Sequence, residues 1–297
     1  MDSQRLRGTL EMIAAMILSG SIGYFVLASG QPISTVVFFR CLFGAFVLGG
    51  ICFGLGYLRP GTLTRRLLVL AIAGGVALIL NWLTLFSAYG RASISIATTV
   101  YNTQPFMLVG LSALIAREKV TLVQVIWLVT AFAGMLLIVQ VEPAALAEPG
   151  QYLVGIGLAL VAAFLYAVSA LLTRQLAGVP PHLIAFIHTL VGIVMLAPFV
   201  GFSSLPSGLS AWAPIITLGV VHTGIMYVLL YGAIQKLPTP VIGALGFVYP
   251  IVAIFVDWLA FGQQFGLVQV LGIAIILFAA AGLTLGWRLP SRRERVA

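Results

Sequence analysis

The chain has 297 residues, of which 61% are hydrophobic and only 7% are charged, with a formal net charge of +8. Soluble domains are about 45–50% apolar and about 25% charged, so this composition excludes an ordinary soluble enzyme and a disordered protein. Long apolar runs fill nearly the whole chain, which indicates a polytopic membrane protein. The positive charge does not indicate nucleic-acid binding, because basic residues that flank membrane spans set their orientation.

Ten apolar segments are each long enough to cross a membrane as a helix of about 20 residues. The strands of a membrane β-barrel alternate in polarity over about 10 residues, whereas runs such as Leu67–Leu80 are longer and continuously apolar. The sequence therefore predicts an all-α polytopic membrane protein with ten transmembrane helices. The predicted spans are residues 8–29, 33–56, 66–89, 93–115, 121–140, 152–174, 181–201, 211–233, 239–261 and 267–287.

The positions of the basic residues predict the orientation of these spans. A cytoplasmic N-terminus places 13 of the 15 Lys and Arg residues on the cytoplasmic side, leaves Arg91 outside and leaves Arg40 within the second span. Because cytoplasmic loops carry an excess of Lys and Arg, we expect a multi-pass protein of the bacterial inner membrane with both termini in the cytoplasm. Glycine pairs such as Gly50 and Gly54 are expected to pack helices within one chain, and a monomer in the lipid bilayer is expected.

The two halves of the chain match at an offset of 145 residues. Leu122–Val125 recurs as Leu267–Val270, and Pro105 recurs as Pro250. Apolar sequences align easily, but a tetrapeptide and a proline in one register are harder to obtain by chance. The sequence therefore predicts an internal duplication.

The parity of the spans predicts how the two halves are related. The first half, residues 1–147, and the second half, residues 148–297, each hold five predicted spans. Since five is odd, the second half enters the membrane from the opposite side. Two inverted five-helix repeats are an architecture typical of transporters, which bind substrate near the membrane midplane between the repeats.

Two short segments carry a resemblance to a known transporter family. The first runs from Ala88-Tyr89-Gly90-Arg91-Ala92 to Gln104-Pro105-Phe106, and the second is Arg117-Glu118-Lys119 after the fourth span. With the ten spans, they resemble the EamA branch of the drug/metabolite transporter superfamily, and the chain looks most like the YddG-type exporters of aromatic amino acids. Gln263 departs from the pattern, because an acidic residue is common there in the second repeat. The resemblance covers the whole chain and implies a central cavity lined by both halves and export from the cytoplasm.

Polar groups inside a span are candidates for a substrate site, because they cost free energy unless they are satisfied. Asn81 offers hydrogen-bond donors and an acceptor, and Trp82 offers a ring face for an aromatic group or a cation. Helix–helix hydrogen bonding is the alternative role for such groups, and these two neighbours point about 100° apart, so at most one faces a cavity squarely. The predicted substrate-binding residues are Asn81, Trp82, Tyr101, Gln104, Tyr166, Tyr227 and Tyr249.

Pro105 and Pro250 predict interruptions in the fourth and ninth spans. A proline removes one backbone donor and frees a carbonyl on the preceding turn, and such a carbonyl is tolerated in a membrane where it lines a cavity. A pair of interrupted helices at equivalent positions indicates a transporter site or gate. A kink that serves packing alone is the alternative.

Arg40 is the one basic residue predicted well inside a span, about seven residues and roughly 10 Å from its outer end. Asp257, near the outer end of the ninth span, is the expected partner of its charge. This outer-side pair is expected to be either structural or part of an outer substrate gate.

An aromatic cavity with few charges suits aromatic or neutral amino acids better than phosphate-bearing metabolites, which call for several basic groups. The expected function is export of these amino acids by alternating access, and the alternative is a broad-range exporter of hydrophobic organic cations or drugs. Rings of polar residues typical of a channel and motifs of an intramembrane enzyme are absent from the sequence. No catalytic residue, metal or cofactor is therefore predicted. Facilitated export is expected, with histidine-mediated proton coupling as an alternative.

Overall fold

The structure is a computed structural model that describes residues 3–58, 63–92, 94–138, 149–202, 205, 208–261 and 266–287. Every regular element within these ranges is helical. The α-helices are α1 (Ser3–Ser19), α2 (Ile22–Ala28), α3 (Ile33–Gly54), α4 (Arg65–Ala92), α5 (Ile94–Tyr101), α6 (Gln104–Ile115), α7 (Leu122–Ile138), α8 (Pro149–Gln175), α9 (Pro181–Leu196), α10 (Leu209–Gly219), α11 (Met226–Lys236), α12 (Thr239–Gly246), α13 (Val248–Phe261) and α14 (Leu267–Leu285). A 3₁₀ turn follows α9 at Ala197–Phe199, and a π-helical segment at Val220–Ile225 joins α10 to α11.

Seven helical segments of the described chain are long and apolar enough to cross a membrane. A helix suits this environment because it satisfies its backbone hydrogen bonds within one segment. The predicted all-helical, multi-pass membrane fold is confirmed. The seven segments are Ser3–Ala28, Ile33–Gly54, Arg65–Ala92, Gly150–Gln175, Pro181–Phe199, Leu209–Lys236 and Leu267–Leu285, and two shorter apolar segments are Leu122–Leu137 and Thr239–Val252.

Two of the remaining segments are interrupted at related positions. Helix α5 ends at Tyr101 and α6 begins at Gln104, while α12 and α13 are separated by Phe247 alone. Pro105 lies in the first turn of α6, where its missing N–H costs no helical hydrogen bond. Pro250 lies in the first turn of α13, so the two prolines stand directly after the two interruptions.

Helices α3 and α9 pack closely against each other in antiparallel directions. A Cβ added at Gly192 would lie 2.4 Å from Cys41 Sγ, and one added at Gly49 would lie 2.9 Å from the Phe186 ring. Rising residue numbers on α3 therefore meet falling numbers on α9. Glycine is required at both contacts because the facing side chains occupy the place of a Cβ.

Helices α7 and α14 are also antiparallel. Gly134 on α7 faces the backbone oxygen of Gly272, at 2.9 Å from an added Cβ, and Gly282 on α14 faces the Trp127 ring at 2.8 Å. Gly282 therefore packs helices of one chain, whereas nothing lies within 4 Å of a Cβ added at Gly50 or Gly54, so the expected helix packing is not seen at that pair. In the 145-residue register, α3 corresponds to α9 and α7 corresponds to α14.

Helix α4 runs along α8 over most of its length. Ser169 Oγ donates a hydrogen bond to the Gly74 carbonyl at 2.9 Å, and Asn81 Nδ2 donates to the Ala162 carbonyl at 2.7 Å. Further along, Gly155 lies directly against Ala92. The two helices are therefore antiparallel, and the end of α8 that holds Arg174 lies at the start of α4.

Candidate substrate site

A central cavity lies among helices of both halves of the chain. Its walls are mostly aromatic and aliphatic, and they include all but one of the predicted substrate-binding residues. Those that line it are Trp82, Tyr101, Gln104, Tyr166, Tyr227 and Tyr249, together with Pro105 from the predicted helix break. The cavity is also lined by Met12, Met16, Phe86 and Tyr89, which were not predicted from the sequence. Tyr89 belongs to a segment that carries the family resemblance, whereas the two methionines carry no such signal.

Trp82 and Tyr227 form the centre of the aromatic wall. Trp82 Nε1 donates a hydrogen bond to the Tyr227 hydroxyl at 3.1 Å, and the ring centroids are 5.6 Å apart in an edge-to-face arrangement. The two residues are 145 positions apart and thus occupy equivalent places in the two halves. On another wall, the Tyr101 and Tyr166 rings are 6.2 Å apart. Aromatic edges and faces are therefore presented from several sides.

Arg40 lies in the cavity wall and is only 1% exposed. Its Cζ atom is 3.9 Å from the centroid of the Trp82 ring, its Nε donates to Thr223 Oγ1 at 2.7 Å, and its Nη2 donates to the His222 carbonyl at 3.1 Å. Nη1 is buried and has no hydrogen-bond partner within the described part of the chain. The side chain of Arg40 therefore lies over the central tryptophan, and its expected place on the outer side of the membrane stays a prediction. The expected partner Asp257 lies outside the residues whose side chains the structure describes.

The π-helical segment Val220–Ile225 positions this arginine. Thr223 Oγ1 donates to the carbonyl of Leu218, five residues earlier, at 2.9 Å, and accepts the bond from Arg40. A π turn shifts the regular hydrogen-bond ladder, and here the His222 carbonyl accepts from the guanidinium. Gly219 brings the segment against α3, because an added Cβ would lie 2.4 Å from Phe43 Cβ.

Asn81 does not line the cavity. It is 1% exposed, its Nδ2 donates to the Ala162 carbonyl at 2.7 Å, and the same atom lies 3.3 Å from the Tyr101 hydroxyl. Since adjacent helical residues point about 100° apart, Trp82 faces the cavity and Asn81 faces α8. In the structure Asn81 links α4 to α8 and bonds to Tyr101, and its expected contact with substrate stays a prediction.

Gln104 and Pro250 differ in their relation to the cavity. Gln104 lines the cavity, and its Oε1 atom is buried without a hydrogen-bond partner among the described residues. Pro250 is buried but does not line the cavity. Pro105, its counterpart, does line it and packs against Gly243, whose added Cβ would lie 3.0 Å from Pro105 Cβ.

Both membrane-embedded histidines make hydrogen bonds away from the cavity lining. His188 Nδ1 lies 2.6 Å from the Tyr231 hydroxyl, and His222 Nε2 lies 2.8 Å from Ser21 Oγ. Neither histidine is among the residues that line the cavity. The described geometry assigns both rings to contacts between helices.

A group of polar side chains that we call the Glu118 cluster lies at the helix ends beyond Leu108 and Ile242 of the cavity wall, and it is made up of Glu118, Arg174 and Thr239. The Glu118 carboxylate accepts from Arg174 Nη2 at 2.5 Å and from Thr239 Oγ1 at 2.5 Å. Arg174 also donates to the Leu237 carbonyl at 3.2 Å. Because these residues follow α6, end α8 and begin α12, the cluster joins three segments below the cavity.

A second polar group, the Glu11 cluster, consists of Arg7, Glu11 and Lys236. Glu11 accepts from Lys236 Nζ at 2.5 Å and from Arg7 Nε at 3.0 Å. Glu11 is on α1 and Lys236 ends α11, so this ion pair joins helices of the two halves. The pairing of Lys236 with Glu11 could not be predicted from the sequence, since the two residues are 225 positions apart in the chain.

The other end of the cavity leads to a second depression. Phe86 and Tyr89 line both spaces, so the two spaces adjoin. The depression is lined further by Val26, Leu27, Gly30, Gln31, Ile33, Ser87, Gly90, Arg91 and Gln151. Arg91 donates to the carbonyl of Ser87 on its own helix at 2.9 Å.

Comparison with protein families identifies the chain. The profile of the EamA-like transporter family matches it twice, over residues 6–140 and 153–285. The chain belongs to the EamA-like transporter family. It is therefore a membrane transporter and not an enzyme, as the sequence predicted.

Relatives of the chain extend over nearly its full length. It is 30% identical to the uncharacterized transporter YxxF of Bacillus subtilis, over 96% of this chain and 91% of that protein. It is 28% identical to an uncharacterized transporter of Archaeoglobus fulgidus, over 95% of this chain and 96% of that one. A solved crystal structure covers 95% of the chain with a TM-score of 0.79 at 20% identity, which shows a common fold.

Proposed function

We propose that this protein exports aromatic and other neutral amino acids across the bacterial inner membrane by alternating access. The observation that carries the proposal is the cavity wall of Trp82, Tyr101, Tyr166, Tyr227 and Tyr249. Its described lining includes no Asp or Glu, although a carboxylate is the usual partner of a buried cation. The wall therefore favours an aromatic zwitterion over an organic cation.

The proposal includes ten spans arranged as two inverted five-helix repeats. The family profile matches each half once. The two interruptions are 145 residues apart, at Asn102 and Phe247. Corresponding helices also run antiparallel, as α3 does with α9 and α7 with α14. An inverted repeat requires this relation, because its two-fold axis lies in the membrane plane.

The orientation follows from the basic residues. With the N-terminus in the cytoplasm, the Glu118 and Glu11 clusters face the cytoplasm, and the depression near Gln31 and Arg91 faces outward. The structure then corresponds to an outward-open state. Export requires the reverse state as well, in which both clusters separate and the cavity opens toward the cytoplasm. The interruptions at Asn102 and Phe247 provide places where half-helices tilt between the two states.

The experiment is uptake of labelled L-phenylalanine and L-tryptophan into proteoliposomes that contain the purified full chain. Uptake above protein-free liposomes is expected. Trp82→Ala and Tyr101→Ala are each expected to lower it by about two- to twelvefold, because each removes an aromatic contact worth about 0.5–1.5 kcal/mol with a substrate ring. Trp287→Ala is the matched control, since Trp287 is 42% exposed at the end of α14.

Two results would contradict the proposal. One is the absence of protein-dependent flux for every aromatic amino acid. The other is flux of a labelled hydrophobic cation such as tetraphenylphosphonium with none of the amino acids, which would establish the cation exporter instead.

A further inference from the structure

Arg40 is a buried cation with unused hydrogen-bonding capacity. A guanidinium carries five N–H donors, and the described contacts use one on Nε and one on Nη2. The contact of the guanidinium with the Trp82 ring compensates part of the cost of its desolvation. This contact does not provide a hydrogen-bond acceptor for any of the N–H groups. Among the described residues, no carboxylate forms an ion pair with it. A buried arginine in a cavity wall with a free Nη1 amino group is suited to bind an anionic oxygen of a ligand.

Gln104 supplies a hydrogen-bond acceptor in the same cavity. Its Oε1 acceptor is buried without a described partner, and it stands at the first position of α6, directly after the interruption. An amide oxygen accepts hydrogen bonds from an ammonium group. The cavity thus combines one free cationic donor and one free neutral acceptor with aromatic walls.

We propose that Arg40 binds the carboxylate of the transported amino acid through Nη1, while Gln104 Oε1 accepts from its α-ammonium group. The side chain of the substrate then lies among Tyr101, Tyr166 and Tyr249. This inference rests on the proposed function and specifies its ligand. The ligand is a zwitterion that needs both charged groups, which separates aromatic amino acids from aromatic amines and from aromatic acids.

The carboxylate site is asymmetric between the two halves. The position equivalent to Arg40 in the 145-residue register is Ala185 on α9, which cannot bind an anion. The second half contributes the π-helical segment instead, through Thr223 and the His222 carbonyl. The substrate therefore binds in one orientation, even though the surrounding helices correspond in pairs.

The test measures competition with labelled L-tryptophan uptake in proteoliposomes of the full chain. The competitors are unlabelled L-tryptophan, tryptamine, which lacks the carboxylate, and indole-3-propionate, which lacks the ammonium. Tryptophan is expected to compete at least tenfold better than either analogue. If labelled tryptophan is transported but tryptamine competes equally well, the assignment of Arg40 is overturned while the proposed function stands. If no tryptophan is transported, both are overturned.

Two variants test whether Arg40 binds the carboxylate and whether Gln104 binds the ammonium group. Arg40→Gln is expected to raise the KM for tryptophan at least tenfold and to remove the advantage of tryptophan over tryptamine. Gln104→Leu is expected to remove the advantage of tryptophan over indole-3-propionate. Arg91→Gln is the matched arginine control and is expected to leave all three competitors unchanged. An unchanged KM in Arg40→Gln would overturn the proposal.

A structural role for Arg40 predicts different results. If its charge only pairs with Asp257, Asp257→Asn would lower transport as much as Arg40→Gln, and the ratio between tryptophan and tryptamine would stay constant. If Arg40→Gln does not give a folded monodisperse protein, Arg40→Lys retains the charge and the wild-type competition series decides. An intact preference for tryptophan in the wild type supports the proposal, and its absence overturns it.

Discussion

The two ends of the central cavity are built from corresponding helices but carry different side chains. All three ion pairs among the described residues lie in the Glu118 and Glu11 clusters, at the end that the proposed orientation places in the cytoplasm. At the outer end, Arg91 bonds only to a carbonyl of its own helix within the described contacts. In the 145-residue register, Arg91 corresponds to Lys236, and Glu118 corresponds to Gln263.

This difference shows that the duplication preserved the helices while the charges diverged. In the proposed inverted repeat, helix packing sets two alternative shapes, and a cluster present at one end stabilises the state in which that end is closed. Since a conformational equilibrium shifts only by the interactions that differ between its states, the proposal implies that the clusters favour the outward-open state. Their removal is expected to shift the protein toward the inward-open state.

The largest shift toward the inward-open state is expected for Glu118→Ala. The change leaves Arg174, which is 29% exposed, without its carboxylate, and a charged hydrogen bond contributes about 1.5–3 kcal/mol. A cysteine placed at Leu108, which lines the cavity, reports the state in a background of Cys41→Ala and Cys52→Ala. Labelling by an impermeant maleimide added from the cytoplasmic side should rise about tenfold or more. Unchanged labelling would show that the Glu118 cluster does not hold the closed end.

A smaller and more selective effect is expected from Lys236→Gln compared with Arg91→Gln. Lys236 pairs with Glu11 across helices, and both side chains are at most 20% exposed. Arg91 makes its described bond within α4. We expect the first change to increase labelling from the cytoplasmic side several-fold and the second to leave it unchanged. Equal effects of the two changes would contradict the asymmetry of the two ends.

The smallest effect is expected for Arg7→Gln. Arg7 is 72% exposed and pairs with Glu11 one turn away on the same helix. Exposed pairs of this kind contribute about 0.3–0.5 kcal/mol, so labelling should stay within about twofold of the wild type. A larger shift would indicate that Arg7 bonds across helices in solution.

The sequence was sufficient to predict the helical membrane fold and five of the seven aromatic residues that line the cavity. Apolar runs and the proline pair are local signals, so Pro105 and the interruption before it could be located without a structure. Trp82 and Tyr227 could be selected because aromatic groups at mid-depth are uncommon outside a site. Their contact with each other agrees with the two-fold relation that we propose for the halves.

Residue spacing does not determine which way a side chain points or which partner it bonds to, so these features could not be predicted. Asn81 and Trp82 are neighbours, and the packing of α8 decides which of them faces the cavity. The π-helical segment has no sequence signal that separates it from a regular helix, so the bonds of Arg40 to Thr223 and His222 could not be predicted. The pairing of Glu118 with Arg174 joins segments 56 residues apart.

Counterflow in proteoliposomes tests the central claim, that one cavity opens alternately to the two sides of the membrane. Vesicles loaded with unlabelled L-tryptophan are diluted into a trace of labelled L-tryptophan. We predict a transient accumulation of label above equilibrium, which Trp82→Ala abolishes and Trp287→Ala retains. Influx of label that does not depend on unlabelled tryptophan inside the vesicles would show a channel and contradict alternating access.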